Sequence, residues 1–119
     1  MQERLVVDLL YNQQESKYWA IEVLSDENEG VFTLKRHYTI KDNNVVSVED
    51  YVSEDFNNII DRYENKVVSK LRGGTFKMVR DGDDIGNPPD KLLELLGLSK
   101  TVELPPPTTK QYRKIKLHD

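Results

Sequence analysis

Basic side chains are concentrated in two stretches of the sequence, where they could bind phosphate groups. Residues 66–80 contain no acidic residue, and their cations are Lys66, Lys70, Arg72, Lys77 and Arg80. The second cluster consists of Lys35, Arg36, His37 and Lys41. Clustered cations favour nucleic acid as a partner, because each neutralised phosphate releases condensed counterions. The alternative interpretation of residues 66–72 is a solvated helix end, where cations stabilise the helix dipole.

The two clusters would form one positive face if the end of the predicted helix lies beside the third predicted strand. Tyr38 would then be placed to stack on a base or a sugar. The candidate nucleic-acid-binding residues are therefore Lys35, Arg36, His37, Tyr38, Lys41, Lys66, Lys70, Arg72 and Lys77. Asp81, Asp83 and Asp84 follow directly and would weaken this positive field. Their spacing does not complete an EF-hand, so we expect a loop there and not a calcium site.

Residues that could carry out catalysis are scarce. The chain has no Cys, which excludes disulfides, Cys-ligated zinc and thiol nucleophiles. It has no Gly-x-Ser-x-Gly elbow, no phosphate-binding loop motif and no dinucleotide fingerprint. His37 and His118 are far apart and do not form a metal-ligand pattern. We therefore expect a non-catalytic protein with no cofactor, no metal site and no small-molecule substrate.

The first half of the chain has the period of two that is typical of β-strands. Residues 5–10, 18–24, 31–40 and 45–48 are predicted strands, and short polar turns join them. Such short connections predict an antiparallel meander. Trp19, Ile21 and Val23 share one strand face, which favours core packing for Trp19 over ligand contact.

The period then changes to that of an amphipathic helix. Its apolar stripe consists of Phe56, Ile59, Ile60, Tyr63, Val67 and Leu71. Ser53 is the expected N-cap, with Glu54 and Asp55 in the first turn. Gly73 is expected to take the left-handed position after the last turn. Residues 75–79 are predicted to form a final strand beside the helix.

The composition changes again at residue 81. Residues 81–89 are rich in turn formers, residues 90–96 predict a short Leu-rich helix ended by Gly97, and residues 105–107 are three prolines. We place one domain at residues 1–80, followed by a linker, a short helix and a Pro-rich basic tail at residues 81–119. The Leu-rich helix is expected to pack either on the domain or on a partner protein. The candidate partner-binding residues are Leu92, Leu93, Leu96, Tyr112, Arg113 and Lys114.

Three segments carry a resemblance to a known family. Residues 16–24 read Ser-Lys-Tyr-Trp-Ala-Ile-Glu-Val-Leu, residues 30–33 read Gly-Val-Phe-Thr, and residues 56–74 form the predicted helix with its basic end. In this order they resemble the WGR domain, which lies beside the catalytic region of several poly(ADP-ribose) polymerases. The resemblance implies an α+β fold and binding to DNA ends. Residues 35–38 read Lys-Arg-His-Tyr where the family has Trp-Gly-Arg, so the signature tryptophan and glycine are absent.

Length and charge set the remaining expectations. The 119 residues carry a formal charge of −4, with 32% charged and 37% hydrophobic residues. This balance excludes an indiscriminate polyanion binder but allows a segregated basic surface, because the acidic residues fall largely in turns and at the helix start. No apolar run is long enough to cross a membrane, and the N-terminus lacks the pattern of a secretory signal. We therefore expect an intracellular protein, cytoplasmic or nuclear.

Two functional hypotheses remain open. The first is a nucleic-acid-binding, DNA-associated module or subunit of a larger assembly, built as a small antiparallel sheet with one long helix packed on it. The second is a protein-interaction adaptor, or an accessory or inhibitor factor, that uses the C-terminal helix and tail.

Overall fold

A five-stranded antiparallel sheet forms the centre of the structure, a computed structural model that describes residues 2–80 and 82–97. The strands are β1 (Gln2–Asn12), β2 (Lys17–Asp26), β3 (Val31–Thr39), β4 (Val45–Ser53) and β5 (Lys77–Met78). The helices are α1 (Phe56–Arg72) and α2 (Asp90–Leu96), and a short 3-10 turn spans Lys41–Asn43.

The strand order β4-β3-β2-β1-β5 confirms the predicted meander and the α+β class. The first four strands are sequential neighbours, and β5 joins the free edge of β1 after the chain has passed through α1. The observed strands differ from the predicted ones mainly in length. β1 and β4 are longer than expected, whereas β5 has two residues in place of the five predicted at 75–79.

The apolar stripe of α1 packs on one face of the sheet, as its spacing predicts. Ile59, Ile60, Tyr63 and Val67 are buried against a sheet surface that includes Trp19. The other sheet residues in this core are Val6, Leu10, Ile21, Val23 and Leu34. Full burial of such a side chain contributes about 1.5–3 kcal/mol, so this contact holds α1 on the sheet. The expected core position of Trp19 is confirmed.

Both ends of α1 are shifted by one or two residues from the predicted ends. Asp55 is the N-cap, because its carboxylate accepts hydrogen bonds from the backbone N–H groups of Asn57 (3.0 Å) and Asn58 (3.4 Å). The prediction of Ser53 as the N-cap is wrong because β4 continues to that residue. At the other end, Gly73 keeps right-handed geometry and Gly74 takes the left-handed position with φ of +77°.

The second helix packs on the opposite face of the sheet. Leu92 and Leu96 are fully buried there in a cluster with Leu9, Ala20 and Ile85. This packing settles where the Leu-rich helix lies, and it continues the core to Leu96. Gly97 ends α2 in left-handed geometry, as predicted.

The proposed partner-binding role of Leu92, Leu93 and Leu96 is therefore wrong for this conformation. All three side chains are at most 6% exposed, and Leu92 and Leu96 pack in the cluster that α2 forms with the sheet. Tyr112, Arg113 and Lys114 lie outside the described residues.

We expect Leu96→Ala to lower the free energy of unfolding by about 2–5 kcal/mol, because it leaves a cavity under α2. Chemical denaturation followed by circular dichroism measures this change. Glu94→Ala on the same helix is the matched control, and its exposed side chain predicts a change within about 0.5 kcal/mol. If both substitutions changed the free energy of unfolding by the same small amount, this would contradict the packing of α2 on the sheet.

Candidate nucleic-acid interface

The predicted basic cluster on β3 is divided between the two faces of the sheet. Side chains alternate along a strand, and residues paired directly across an antiparallel ladder share a face. Tyr38 pairs with Trp19, which places it on the α1 side, and Arg36 shares that side. Lys35 and His37 alternate with them and belong to the α2 side. Residues 35–38 therefore do not form one phosphate-binding patch.

A groove of about 490 Å³ lies where the start of β2, the end of β3 and the end of α1 meet. It combines basic side chains, aromatic rings and one exposed aliphatic residue. We call it the basic–aromatic groove, and it is lined by Glu15, Lys17, Tyr18, Trp19, Arg36, Tyr38, Thr39, Ile40, Lys41, Lys70 and Phe76.

Lys70 is the central cation of the groove. Its ammonium lies 4.6 Å from the ring centroid of Phe76 and 5.8 Å from that of Trp19, within the range of cation–π attraction. Burial lowers the pKa of Lys70, and the charges of Arg36 and Lys17 lower it further. Among residues 2–80 and 82–97, no carboxylate lies within 4.0 Å of this ammonium. The site therefore holds a positive charge that an anion would stabilise.

Arg36 is fixed in the groove by a carboxylate on the neighbouring strand. Its Nε and Nη2 both donate to Asp50, the second at 3.0 Å. Asp50 is the extra residue at a β-bulge in β4, which turns its side chain toward Arg36. The guanidinium carbon also lies 5.6 Å from the ring centroid of Tyr38. These contacts hold Arg36 in place and neutralise much of its charge.

The remaining predicted basic residues take different positions. Lys41 lines the groove from the 3-10 turn. Lys66 lies 3.7 Å from Asp50, so the same carboxylate offsets part of its charge. Arg72 is exposed on the last turn of α1, and Lys77 lines a separate cavity of about 510 Å³ beside β5. The structure thus brings together Arg36, Tyr38, Lys41 and Lys70 from the predicted set.

Seven groove-lining residues were missing from the predicted site, and four of them supply positive charge, aromatic surface or exposed apolar surface: Lys17, Trp19, Ile40 and Phe76. Lys17 precedes Trp19 by two positions, and this period-two spacing places both on one face of β2, so it was a usable signal. Trp19 was predicted to be a core residue only, but Lys70 approaches its ring. Ile40 and Phe76 lie just outside regular strands, and the sequence pattern contains no signal that places them at the groove.

His37 is part of a buried polar network on the other side of the sheet. Its ring is 2% exposed, with Nε2 at 2.5 Å from Glu22 Oε2 and Nδ1 at 2.7 Å from Ser47 Oγ. The prediction that His37 contacts phosphate is wrong for this conformation, because both ring nitrogens are engaged and no solvent-facing edge remains.

The network also anchors α2 to the sheet. Arg4 Nε donates to Glu22 Oε1 at 2.9 Å, and the Arg4 guanidinium donates to the carbonyl oxygens of Leu95 (2.8 Å) and Leu96 (2.7 Å). Burial raises the pKa of Glu22, but hydrogen bonds from His37 and Arg4 outweigh this effect and lower the pKa overall. Ionised Glu22 is therefore stabilised in the folded state.

Comparisons with known proteins do not extend this description. The chain matches no protein-family model, no curated protein and no solved structure. In the part of the chain that the structure describes, no three potential metal ligands converge, and no helix is long and apolar enough to span a membrane.

We expect Glu22→Gln to lower the free energy of unfolding at pH 7 by about 1–3 kcal/mol, because His37 and Arg4 lose a charged acceptor. The folded-state pKa of Glu22 lies below its ordinary value of 4.5. Its contribution is therefore present above about pH 4.5 and is lost as the pH falls through the folded-state pKa. Denaturant titrations from pH 3 to pH 7 measure this loss of stability. The loss should be smaller in Glu22→Gln than in the unmodified protein.

The carboxylate of Glu49, which is exposed on β4, supplies the control for this experiment. Glu49→Gln should leave the acid dependence of stability close to that of the unmodified protein. An unchanged acid dependence in Glu22→Gln would contradict the role of the network.

Proposed function

We propose that this protein is a non-catalytic nucleic-acid-binding module, DNA-associated and part of a larger assembly, that binds through the basic–aromatic groove. The observation that carries the proposal is the position of Lys70, a cation that has no carboxylate partner among the described residues and lies close to two aromatic rings. Lys17 and Lys41 line the same groove. Phosphate groups next to sugars and bases match this combination of charges and rings.

Electrostatics favour an anion at this position. Burial is the main cause that lowers the pKa of Lys70, and repulsion from the charges of Arg36 and Lys17 lowers it further. A bound phosphate would offset this repulsion and raise the pKa of Lys70 again.

The net charge of −4 does not oppose this proposal, because many acidic residues lie far from the groove. The acidic turn at residues 26–29 follows the far end of β2, while Lys17 begins that strand. The ten residues of β2 span roughly 30 Å at about 3.3 Å per residue. This distance exceeds three Debye lengths of about 8 Å at physiological salt, so the turn is screened from the groove.

The resemblance to the WGR domain supports the same class of partner. It rests on the strand and helix segments that build the groove, since residues 16–24 include Lys17 and Trp19, and residues 56–74 include Lys70. The missing Trp-Gly-Arg signature removes the basis for proposing specificity for DNA ends. The aromatic surface here is supplied by Tyr38, Trp19 and Phe76.

The alternative function, a protein-interaction adaptor, has less support. Helix α2 was predicted to contact the partner protein, but its side chains Leu92, Leu93 and Leu96 are buried in the chain's own core. What remains for this hypothesis is the tail with Tyr112, Arg113 and Lys114, which lies outside the described residues.

We expect Lys70→Glu to weaken nucleic-acid binding by at least about tenfold at low salt, because it replaces the central cation with a repelling charge. Lys70→Gln should reduce the slope of log K against log salt by about 0.7–0.9, the value for one lost phosphate contact. Fluorescence anisotropy with labelled single-stranded and duplex oligonucleotides measures both effects.

Lys91→Glu is the matched charge reversal, since Lys91 is exposed on α2, on the opposite side of the sheet. It should change the affinity by less than about threefold, through net charge alone. Equal weakening by Lys91→Glu would show that binding is not localised. Absence of binding to single strands, duplexes and 5′-phosphorylated ends at low salt would overturn the proposed function.

A further inference from the structure

The lining of the basic–aromatic groove is partly apolar, and this sets it apart from a simple phosphate-binding surface. Ile40 is 46% exposed and is one of three large exposed hydrophobic residues among those described. Tyr38 and Phe76, also in the lining, are half-buried. We infer that the groove binds unpaired nucleotides of a single strand in preference to a duplex, an inference that rests on the proposed function.

The apolar lining needs a ligand with an apolar surface. In a duplex the flat faces of the bases are stacked on one another, and the outer surface presents phosphates, sugars and only the edges of the bases. An unpaired nucleotide exposes its base face, which can pack on Tyr38 or Phe76 and against Ile40. Proteins that bind single strands combine such aromatic platforms with a basic groove.

The different exposure of the three lysines leads to the same ligand. Lys17 and Lys41 are exposed, at the start of β2 and in the 3-10 turn, and both also line a smaller neighbouring cavity. Lys70 is half-buried next to the rings of Trp19 and Phe76. The wide, convex backbone of a duplex would meet the two exposed lysines and leave Lys70 without a phosphate. A single strand is thin enough to enter and bring a phosphate to Lys70.

The number of available cations fits a short single strand. Lys17, Lys41 and Lys70 can each meet a phosphate, whereas Arg36 is held by Asp50. Lys17 is only weakly engaged, by the exposed Glu15 at 3.9 Å. Three cations are enough to contact a few successive nucleotides, but not the backbone of a long duplex.

Tyr38 is the best-positioned stacking platform. Its ring lies beside Arg36, which is held in turn by two hydrogen bonds to Asp50. A ring fixed in this way loses little conformational freedom when a base packs against it. Removal of the ring should therefore affect ligands that have bases and spare those that do not.

The test compares four labelled ligands at the same low salt: oligo-dT, oligo-rU and an abasic strand of twelve nucleotides each, and a hairpin duplex whose stem contains G·C pairs and stays paired at that salt. We expect oligo-dT or oligo-rU to bind about tenfold tighter than the duplex and the abasic strand. A difference in affinity between oligo-dT and oligo-rU would show whether the groove prefers deoxyribose or ribose. A preference for either sugar supports the inference.

Two variants locate the base contact. Tyr38→Leu, which keeps an apolar side chain in place, should cost about fivefold to tenfold in affinity for the base-bearing strand and leave the abasic strand unaffected. Ile40→Ser should also lower the affinity for the base-bearing strand. Val52→Ser is its matched control, because Val52 is 45% exposed but lies outside the groove. Ile40 and Val52 are both exposed, so neither substitution threatens the fold.

The outcomes separate the inference from the proposed function. If the duplex or the abasic strand binds as tightly as the better of oligo-dT and oligo-rU, the inference is overturned while the proposed function stands. If none of the four ligands binds, both fail together. If Val52→Ser weakens binding as much as Ile40→Ser, the base contact does not lie in the groove and the inference is overturned.

Discussion

Both the basic–aromatic groove and the buried polar network depend on the alternation of side chains along β3. It sends Arg36 and Tyr38 to the groove on the α1 side and His37 to the buried network on the α2 side. A slip of one residue in register would exchange these two sets, placing an imidazole in the groove and a guanidinium in the interior. The bulge at Asp50 helps to prevent this slip, because it orients the carboxylate that binds Arg36.

The buried network stabilises the same register from the other side. Glu22 is 4% exposed, and an ionised carboxylate at that depth costs several kcal/mol unless hydrogen bonds satisfy it. His37 and Arg4 supply those bonds from β3 and β1. Within residues 2–80 and 82–97, no buried side-chain nitrogen or oxygen lacks a hydrogen-bond partner. The network therefore favours one pairing of β1, β2 and β3, and this pairing brings Trp19 next to Tyr38.

The fold was largely predictable from periodicity. The stripe from Phe56 to Leu71 and the face shared by Trp19, Ile21 and Val23 are direct consequences of helical and strand spacing, and the structure confirms both. The ends of elements were less predictable, because Asp55 and Ser53 are both good capping residues and the length of β4 decides between them.

The site was only partly predictable, for two physical reasons. Grouping Lys35 to Tyr38 by proximity in sequence ignored the alternation of side chains, which the predicted strand already implied. The second reason lies in tertiary structure, because no sequence pattern specifies that the end of α1 places Lys70 over Trp19 and Phe76. The bulge that brings Asp50 to Arg36 is likewise a property of strand pairing, not of local sequence.

The central claim is that nucleic acid binds in the groove on the α1 side of the sheet. A titration of the isotope-labelled protein with oligo-dT, followed by backbone amide chemical shifts, tests it most directly. The account predicts that the largest shift changes fall at Lys17, Tyr38, Lys41 and Lys70, with little change at Lys35, Lys77 or Lys91. Changes centred on Lys35 and Lys77, or spread evenly over all lysines, would contradict it.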